Sequence, residues 1–335
     1  MASTPATALE PRDACYLCGK PASKCSGCIS SEFSRSYCSK QCQKQDWPSH
    51  KSFCKDHQLE EVLKKAATVA SIAYLRFRKN TWDIPIVKVD VEEGVLTIHR
   101  EYDSMDNYFV PFPKRLMASE DKKETRRNMN QVLCAFVCEE GLAWMHNTLA
   151  GLLQGLKIQI EEINVSMYNI PRKTITVHPN GFQHSNWPGY SHDLLRITSK
   201  ATGTQWAIDI SGGQYGITAV FWPWKQFNLL HVKDVEKIYP FGTHKQQKAL
   251  EGKVWGSSVL VCGVVGEVAA DMDSVVKDWE TDHKTKLSDL VRLPERQYLD
   301  MVAKLTDHMS HANRIFIKNL KITAKVRAIR LTWET

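Results

Sequence analysis

Long apolar runs and secretory features are missing from this chain of 335 residues. No window approaches the roughly eighteen consecutive apolar residues of a membrane-spanning helix, so we expect no membrane span. Residues 1–11 have neither a basic start nor an apolar stretch, so we expect no secretory signal. The run Ser211-Gly212-Gly213 lacks a following Gly-Lys-Ser/Thr, which argues against a phosphate-binding loop.

A strong excess of one charge is also missing. The 44 basic and 37 acidic residues leave a net charge of +7. Basic residues cluster only in segments 122–127 and 318–330, and a solvated helix face explains the first cluster. We therefore do not expect nucleic-acid binding. With 43% hydrophobic and 24% charged residues, most of the chain is expected to fold.

Cysteine, in contrast, is concentrated near the start of the chain. The pattern is Cys15-x2-Cys18, Cys25-x2-Cys28, Cys38-x3-Cys42 and His50-x3-Cys54. Two thiolates from one tight turn can bind the same zinc ion, and residues four apart on a helix present their ligands on one face. Eight ligands make two complete four-ligand shells, so the spacing predicts two Zn²⁺ ions.

A disulfide framework is the alternative for a cysteine-rich segment. Seven clustered cysteines are an odd number, and a histidine at ligand spacing has no role in a disulfide. Without a secretory signal, we favour zinc and an intracellular, reducing location, in the nucleus or the cytoplasm. Metal coordination would then fold a segment too short to bury a core of its own.

The residues between the ligands resemble the MYND-type zinc finger, over roughly residues 15–54. The family pattern of a tyrosine, a glutamine and a tryptophan is met by Tyr37, Gln43 and Trp47. The resemblance implies a cross-braced pairing of ligands. One ion would be held by Cys15, Cys18, Cys38 and Cys42, and the other by Cys25, Cys28, His50 and Cys54.

The resemblance also implies a function, because MYND modules dock short proline-containing peptides. Gln43 and Trp47 match the family positions that line the peptide groove. A tryptophan face packs well on a proline ring, and a glutamine amide can bond an extended backbone. The alternative is that Trp47 is a core residue of the small module and Gln43 an ordinary polar group on a helix surface.

Three parts of the chain are predicted: a disordered tail at 1–11, the finger at 12–57 and an α+β domain at 58–335. In the last part we expect a helix from about His57, a hairpin over 84–102, and a long helical region over 119–154. Ser119 is its predicted cap, and a break is predicted near Gly141. Strands are predicted at 157–168, 173–178, 192–198 and 205–210, with helices over 272–290 and 295–327. The predicted fold is a cross-braced two-zinc finger followed by a mid-chain antiparallel sheet flanked by helices.

One pair in the second domain suggests chemistry. If the strands at 192–198 and 205–210 form a hairpin, paired residue numbers sum to about 401, and His192 faces Asp209. A carboxylate beside a histidine is the base–orienter half of a nucleophilic triad. The arrangement is similar to papain-like hydrolases, which implies an alternative function as an active or degenerate cysteine hydrolase whose finger recruits partners.

The cysteine-hydrolase alternative lacks a well-placed nucleophilic cysteine. Cys134 and Cys138 lie in an apolar helical run typical of inert thiols, and Cys262 comes too late in the chain. A structural cross-strand contact is therefore the favoured explanation of His192 and Asp209. We expect an interaction protein rather than an enzyme, with a protein partner bound through a proline-containing peptide. His308 and His311 are expected to lie on a helix surface.

Overall fold

The computed structural model describes residues 14–28, 34–102, 108–253 and 259–319, with side chains in the last range from residue 262. The predicted tail at 1–11 and the predicted helix beyond residue 319 lie outside these ranges. Among the described residues, no helix is both long and apolar enough to cross a bilayer.

A single helix of 41 residues, α1 (Lys40–Asn80), connects the finger to the rest of the chain. The Ser39 hydroxyl caps its start by accepting from the backbone N–H of Cys42. Its second half buries an apolar stripe that includes Leu63, Ala70 and Phe77. The predicted boundary between residues 57 and 58 thus falls inside a continuous helix.

Eight further α-helices follow α1 among the described residues. They are α2 (Lys122–Cys134), α3 (Cys138–Trp144), α4 (His146–Leu152), α5 (Trp224–His231), α6 (Thr243–Glu251), α7 (Val265–His283), α8 (Leu287–Leu290) and α9 (Glu295–Asn319).

Two details of the predicted 119–154 region are wrong. Asp121, not Ser119, caps α2, because its carboxylate accepts from the backbone N–H of Lys123. The first break lies before Cys138 rather than near Gly141. There Phe136 adopts a left-handed φ of 59°, which a helix cannot continue through.

Eleven strands are present in the described residues. They are β1 (Ser23–Lys24), β2 (Ser36–Tyr37), β3 (Ile86–Glu92), β4 (Val95–Arg100), β5 (Ile158–Met167), β6 (Lys173–Val177), β7 (Gln183–Ser185), β8 (Ser191–Ser199), β9 (Gln205–Ile208), β10 (Phe221–Pro223) and β11 (Val232–Pro240).

The strands beyond the finger form two sheets rather than the single one predicted. The larger sheet has the order β10-β9-β8-β5-β11 and is antiparallel throughout. The smaller sheet has the order β3-β4-β6-β7, in which β4 and β6 run parallel. The predicted antiparallel sheet with flanking helices is therefore present, and the predicted hairpin at 84–102 starts the second sheet.

The main core lies between α1, α7, α9 and one face of the larger sheet. β8 is buried on both faces: Leu195 and Ile197 join this core, whereas Leu194 joins a second cluster with Phe227 of α5. Residues at the start of β8 are thereby held in a solvent-free layer between two clusters. His192 is one of these residues.

Candidate metal centre

The first group of candidate ligands consists of Cys15, Cys18, Cys38 and Cys42. Their sulfur atoms all lie within 4.8 Å of one another. The turn that carries Cys15 and Cys18 is closed by Gly19, which has a φ of 70° and donates its N–H to the Cys15 carbonyl. Cys38 directly precedes the cap of α1, and Cys42 lies in its first turn.

The second group consists of Cys25, Cys28, His50 and Cys54. Their ligand atoms also lie within 4.8 Å of one another, and all four residues are buried. His50 and Cys54 are one turn apart on α1, so they face the Cys25–Cys28 turn together. Nε2 of His50 is 3.4 Å from the Cys28 sulfur.

Both groups fit tetrahedral zinc. A Zn–S bond of about 2.3 Å places the sulfurs of a tetrahedron about 3.8 Å apart. The Cys18–Cys38 and Cys38–Cys42 sulfur distances are 3.5 and 3.6 Å, and Cys25–Cys54 is 3.9 Å. The segment therefore has two zinc sites, one with four thiolates and one with three thiolates and an imidazole. When bound, the two ions supply the coordination bonds that hold the segment together.

The sites are cross-braced as the resemblance implies. The first and third ligand pairs share one site, and the second and fourth share the other. The short strands β1 and β2 pair within the finger, and β2 together with the residue before it is hydrogen-bonded to α1. Arg35 and Tyr37 both donate to the buried Asp46 carboxylate, at 2.7 and 2.5 Å from Oδ2.

Asp46 was missed by the sequence analysis. Burial raises the pKa of this carboxyl, but its hydrogen bonds to Ser49, Tyr37 and Arg35 more than offset that and lower it. Ser49 is a local partner on α1, but Arg35 and Tyr37 are brought to Asp46 only by the folded finger, so no local motif marks the whole set.

The predicted peptide-binding residues lie on one face of α1. Gln43 and Trp47 are four residues apart, and both are half-buried. The Trp47 ring packs on the finger core, with its centroid 6.1 Å from that of His50. The Gln43 side-chain nitrogen is 3.6 Å from the Cys25 sulfur.

Comparison with known proteins supports the same assignment for this part of the chain. Residues 15–54 match the family model of the MYND finger. The N-terminal segment is therefore a MYND finger, a protein-interaction module with two cross-braced zinc sites. No curated protein and no solved structure matches the chain.

His192 and Asp209 of the second domain are in contact, although the predicted pairing is wrong. Leu195 pairs with Ile208 and Thr198 with Gln205, so paired numbers sum to 403 instead of 401. A shift of two residues leaves each side chain on the same face of a strand. Nε2 of His192 accordingly lies 3.0 Å from Oδ1 of Asp209, with both side chains fully buried.

Cys138 is the first residue of α3 and interacts with His192; burial raises the pKa of its thiol, and the interaction with His192 offsets this only in part. The Cys138 thiol is directed at Asp193, with 3.4 Å between its sulfur and Oδ2. Nδ1 of His192 is 2.9 Å from the Gln214 side-chain nitrogen, whereas Nε2 has only the ion-pair contact with Asp209. Cys134 is buried in the main core, and Cys262 contacts Glu251 instead.

A second buried acid–histidine pair adjoins the first, and the sequence analysis missed it. Nε2 of His244 is 3.3 Å from Oδ1 of Asp193. The Glu162 carboxylate accepts from the backbone N–H groups of Gly242 and His244, at 2.7 and 2.9 Å. The two pairs therefore form a buried polar layer between β5, β8 and α6. His308 and His311 lie exposed on α9, as expected.

Proposed function

We propose that the finger docks short proline-containing peptides, with Gln43 and Trp47 lining the groove. The observation that carries this proposal is their placement one turn apart on a single half-buried face of α1. A half-buried tryptophan offers one ring face to a proline while the rest of the ring is fixed by the finger core. The neighbouring amide supplies a group that bonds an extended backbone.

The test compares Trp47→Ala with Lys44→Ala in the full-length, zinc-loaded chain. Lys44 is exposed on the same helix and lies outside the proposed groove. Calorimetric titration uses a panel of proline-containing peptides, each paired with its proline-to-alanine version. We expect Trp47→Ala to weaken binding about tenfold or more, which is the usual size for a tryptophan anchor, and Lys44→Ala to leave binding unchanged.

The alternative role of Trp47, as a core residue only, gives a different result. Trp47→Ala would then lower zinc content or thermal stability, and peptide affinity would be independent of proline. Zinc content is measured by elemental analysis on the same samples. Two zinc ions per chain together with lost peptide binding is the outcome that supports docking.

We infer that the second domain uses His192 and Asp209 structurally rather than as part of a hydrolase. The support is that His192, Asp209 and Cys138 are all buried from solvent, and that the Cys138 sulfur lies 3.4 Å from Oδ2 of Asp193. Incubation with peptide and amide libraries is expected to give no turnover. Cys138 is expected to resist iodoacetamide under native conditions and to react once the chain is unfolded. Turnover that is lost in both Cys138→Ala and His192→Gln would refute this inference.

We also propose that the chain works in a reducing compartment, the nucleus or the cytoplasm, because zinc thiolates require reduced cysteines. Fluorescence microscopy of the tagged full-length chain tests this, and a secreted product would contradict it.

A further inference from the structure

Gln58 lies next to the second zinc site, although it follows the last finger ligand by one helical turn. Its side-chain nitrogen is 3.5 Å from the sulfur of Cys54, which precedes it by four residues on α1. The residue is exposed at the surface of α1 and lies outside the segment that matches the MYND family model.

The turn between Cys25 and Cys28 leaves room for this amide. A Cβ atom on Gly27 would lie 2.4 Å from the Gln58 side-chain nitrogen and 2.7 Å from the Cys54 sulfur. No side chain fits there without displacing one of the two. A glycine is therefore needed at position 27 for space, and that space is filled by an amide directed at a ligand sulfur.

The charge of the second site explains why a donor is useful there. Three thiolates and one neutral imidazole around Zn²⁺ carry a net charge of −1 in a buried environment. A buried negative charge is costly unless hydrogen-bond donors surround it. Gln58 donates toward Cys54, and Gln43 approaches Cys25 in the same way.

The ligand sulfurs of the first site have different hydrogen-bond donors around them. Cys18 and Cys38 lie at the protein surface, so the first site borders on solvent. The second site is closed to water, since all four of its ligands are buried. At the first site the buried Cys15 accepts from backbone N–H groups, whereas Gln58 and Gln43 bring side-chain amides to the second site.

We propose that Gln58 is a positioning residue of the second zinc site, whose amide hydrogen bond to the Cys54 thiolate strengthens zinc binding there. The metal-binding unit accordingly extends one turn beyond the finger, into the part of α1 that leads to the second domain. Residues that bond to metal ligands commonly change metal affinity by about 10–100-fold.

The experiment measures zinc release from the full-length, two-zinc chain to an excess of a colorimetric chelator. Gln58→Leu removes the donor, and Gln58→Glu replaces it with an acceptor of nearly the same shape. Gln58→Lys keeps a donor. Gln45→Leu, at an exposed position of the same helix, is the matched control. Cobalt-substituted samples identify the site, because four-thiolate and three-thiolate–histidine cobalt differ in their absorption bands.

We expect one of the two released ions to leave about tenfold faster in Gln58→Leu, and faster still in Gln58→Glu. The cobalt bands of the three-thiolate–histidine site should be lost in the same order. Gln58→Lys and Gln45→Leu should release both ions at the original rates.

Two results would overturn the proposal. One is unchanged release from both sites in Gln58→Leu and Gln58→Glu. The other is equal acceleration at both sites, which indicates general loosening of α1 rather than a bond to Cys54. Far-UV circular dichroism of each zinc-loaded variant separates this second result from a local effect.

Discussion

Nε2 of His192 lies 3.0 Å from Oδ1 of Asp209 in a layer that water does not reach. Burial lowers the pKa of His192, but the Asp209 carboxylate more than offsets this and raises it to about 10. The Gln214 side-chain nitrogen at Nδ1 favours the neutral ring. The Asp209 charge at 3.0 Å favours the charged ring, so these two neighbours act on the pKa of His192 in opposite directions.

The pair predicts how stability depends on pH. Because the pKa of His192 is raised in the folded chain, its contribution is complete below the ordinary value of 6.5 and is lost as the pH rises towards about 10. His192→Gln should lose about 3–5 kcal/mol near neutral pH, since it leaves Asp209 buried without a partner. Urea unfolding across this pH range measures both effects.

The control for this prediction is the double variant His192→Gln/Asp209→Asn. Without the buried charge, it should be more stable than His192→Gln alone. If His192→Gln lost as much stability as the original chain when the pH is raised towards about 10, a group other than His192 would be responsible for the pH dependence.

A second prediction concerns Arg78, whose side chain is 3% exposed. Its Nη1 lies 3.7 Å from Oδ1 of Asp83 and 3.7 Å from Oε2 of Glu140. Arg78→Met should lower the free energy of unfolding by about 3–5 kcal/mol, because two carboxylates lose their shared partner.

The matched control is Arg76→Met on the same helix. Arg76 pairs with Asp307 at the surface, where such pairs contribute about 0–1 kcal/mol. Urea unfolding should therefore separate the two variants clearly. Equal losses would mean that the Arg78 cluster has no special role.

A third prediction follows from the cross-braced sites. Cys54→Ser should release about one zinc per chain, since it breaks the second site alone. EDTA should remove both ions and abolish peptide binding, while the larger domain remains folded. Elemental analysis and circular dichroism measure these outcomes. Cys262→Ser, which alters a thiol outside the finger, should keep both ions, and full zinc retention in Cys54→Ser would contradict the ligand set.

A fourth prediction concerns Gly212. A Cβ atom there would lie 2.2 Å from Oδ2 of Asp209, so Gly212→Ala should cost about 1–3 kcal/mol through overpacking. Gly266→Ala in α7 is the control, because its Cβ meets nothing closer than 3.7 Å. It should be neutral or stabilising by about 0.5–1 kcal/mol. Thermal unfolding of both variants is the measurement, and equal melting temperatures would contradict the prediction.

The zinc ligands and many of the strands could be predicted from local sequence. Ligand spacing in the finger depends on turns of two or three residues, and strands such as β5 and β8 follow their apolar patterns. The single helix α1 was harder to predict, because Pro48 lies inside it and normally ends a helix. Zinc ligands at His50 and Cys54 hold the following turns in helical form.

The buried polar layer could be predicted only in part. The contact between His192 and Asp209 was predicted correctly although the predicted strand register was wrong by two residues. Side chains alternate between the two faces of a strand, so a shift by an even number of residues leaves each on the same face. The loop between β8 and β9 sets the true register, where the Ser199 N–H bonds the Thr204 carbonyl. His244 lies on a helix 51 positions from its partner Asp193, and no local pattern connects two such distant residues.

The uninterrupted α1 has a geometric consequence for any assembly built on this chain. At about 1.5 Å per residue, Trp47 and Phe77 are separated by about 45 Å along one rigid rod. Anything held at the finger is thereby kept at a set distance and angle from the second domain. Asp56 of α1 accepts from Thr202 and Thr204 of the β8–β9 loop, so the second domain packs against this helix directly after the finger and fixes the orientation of the two parts.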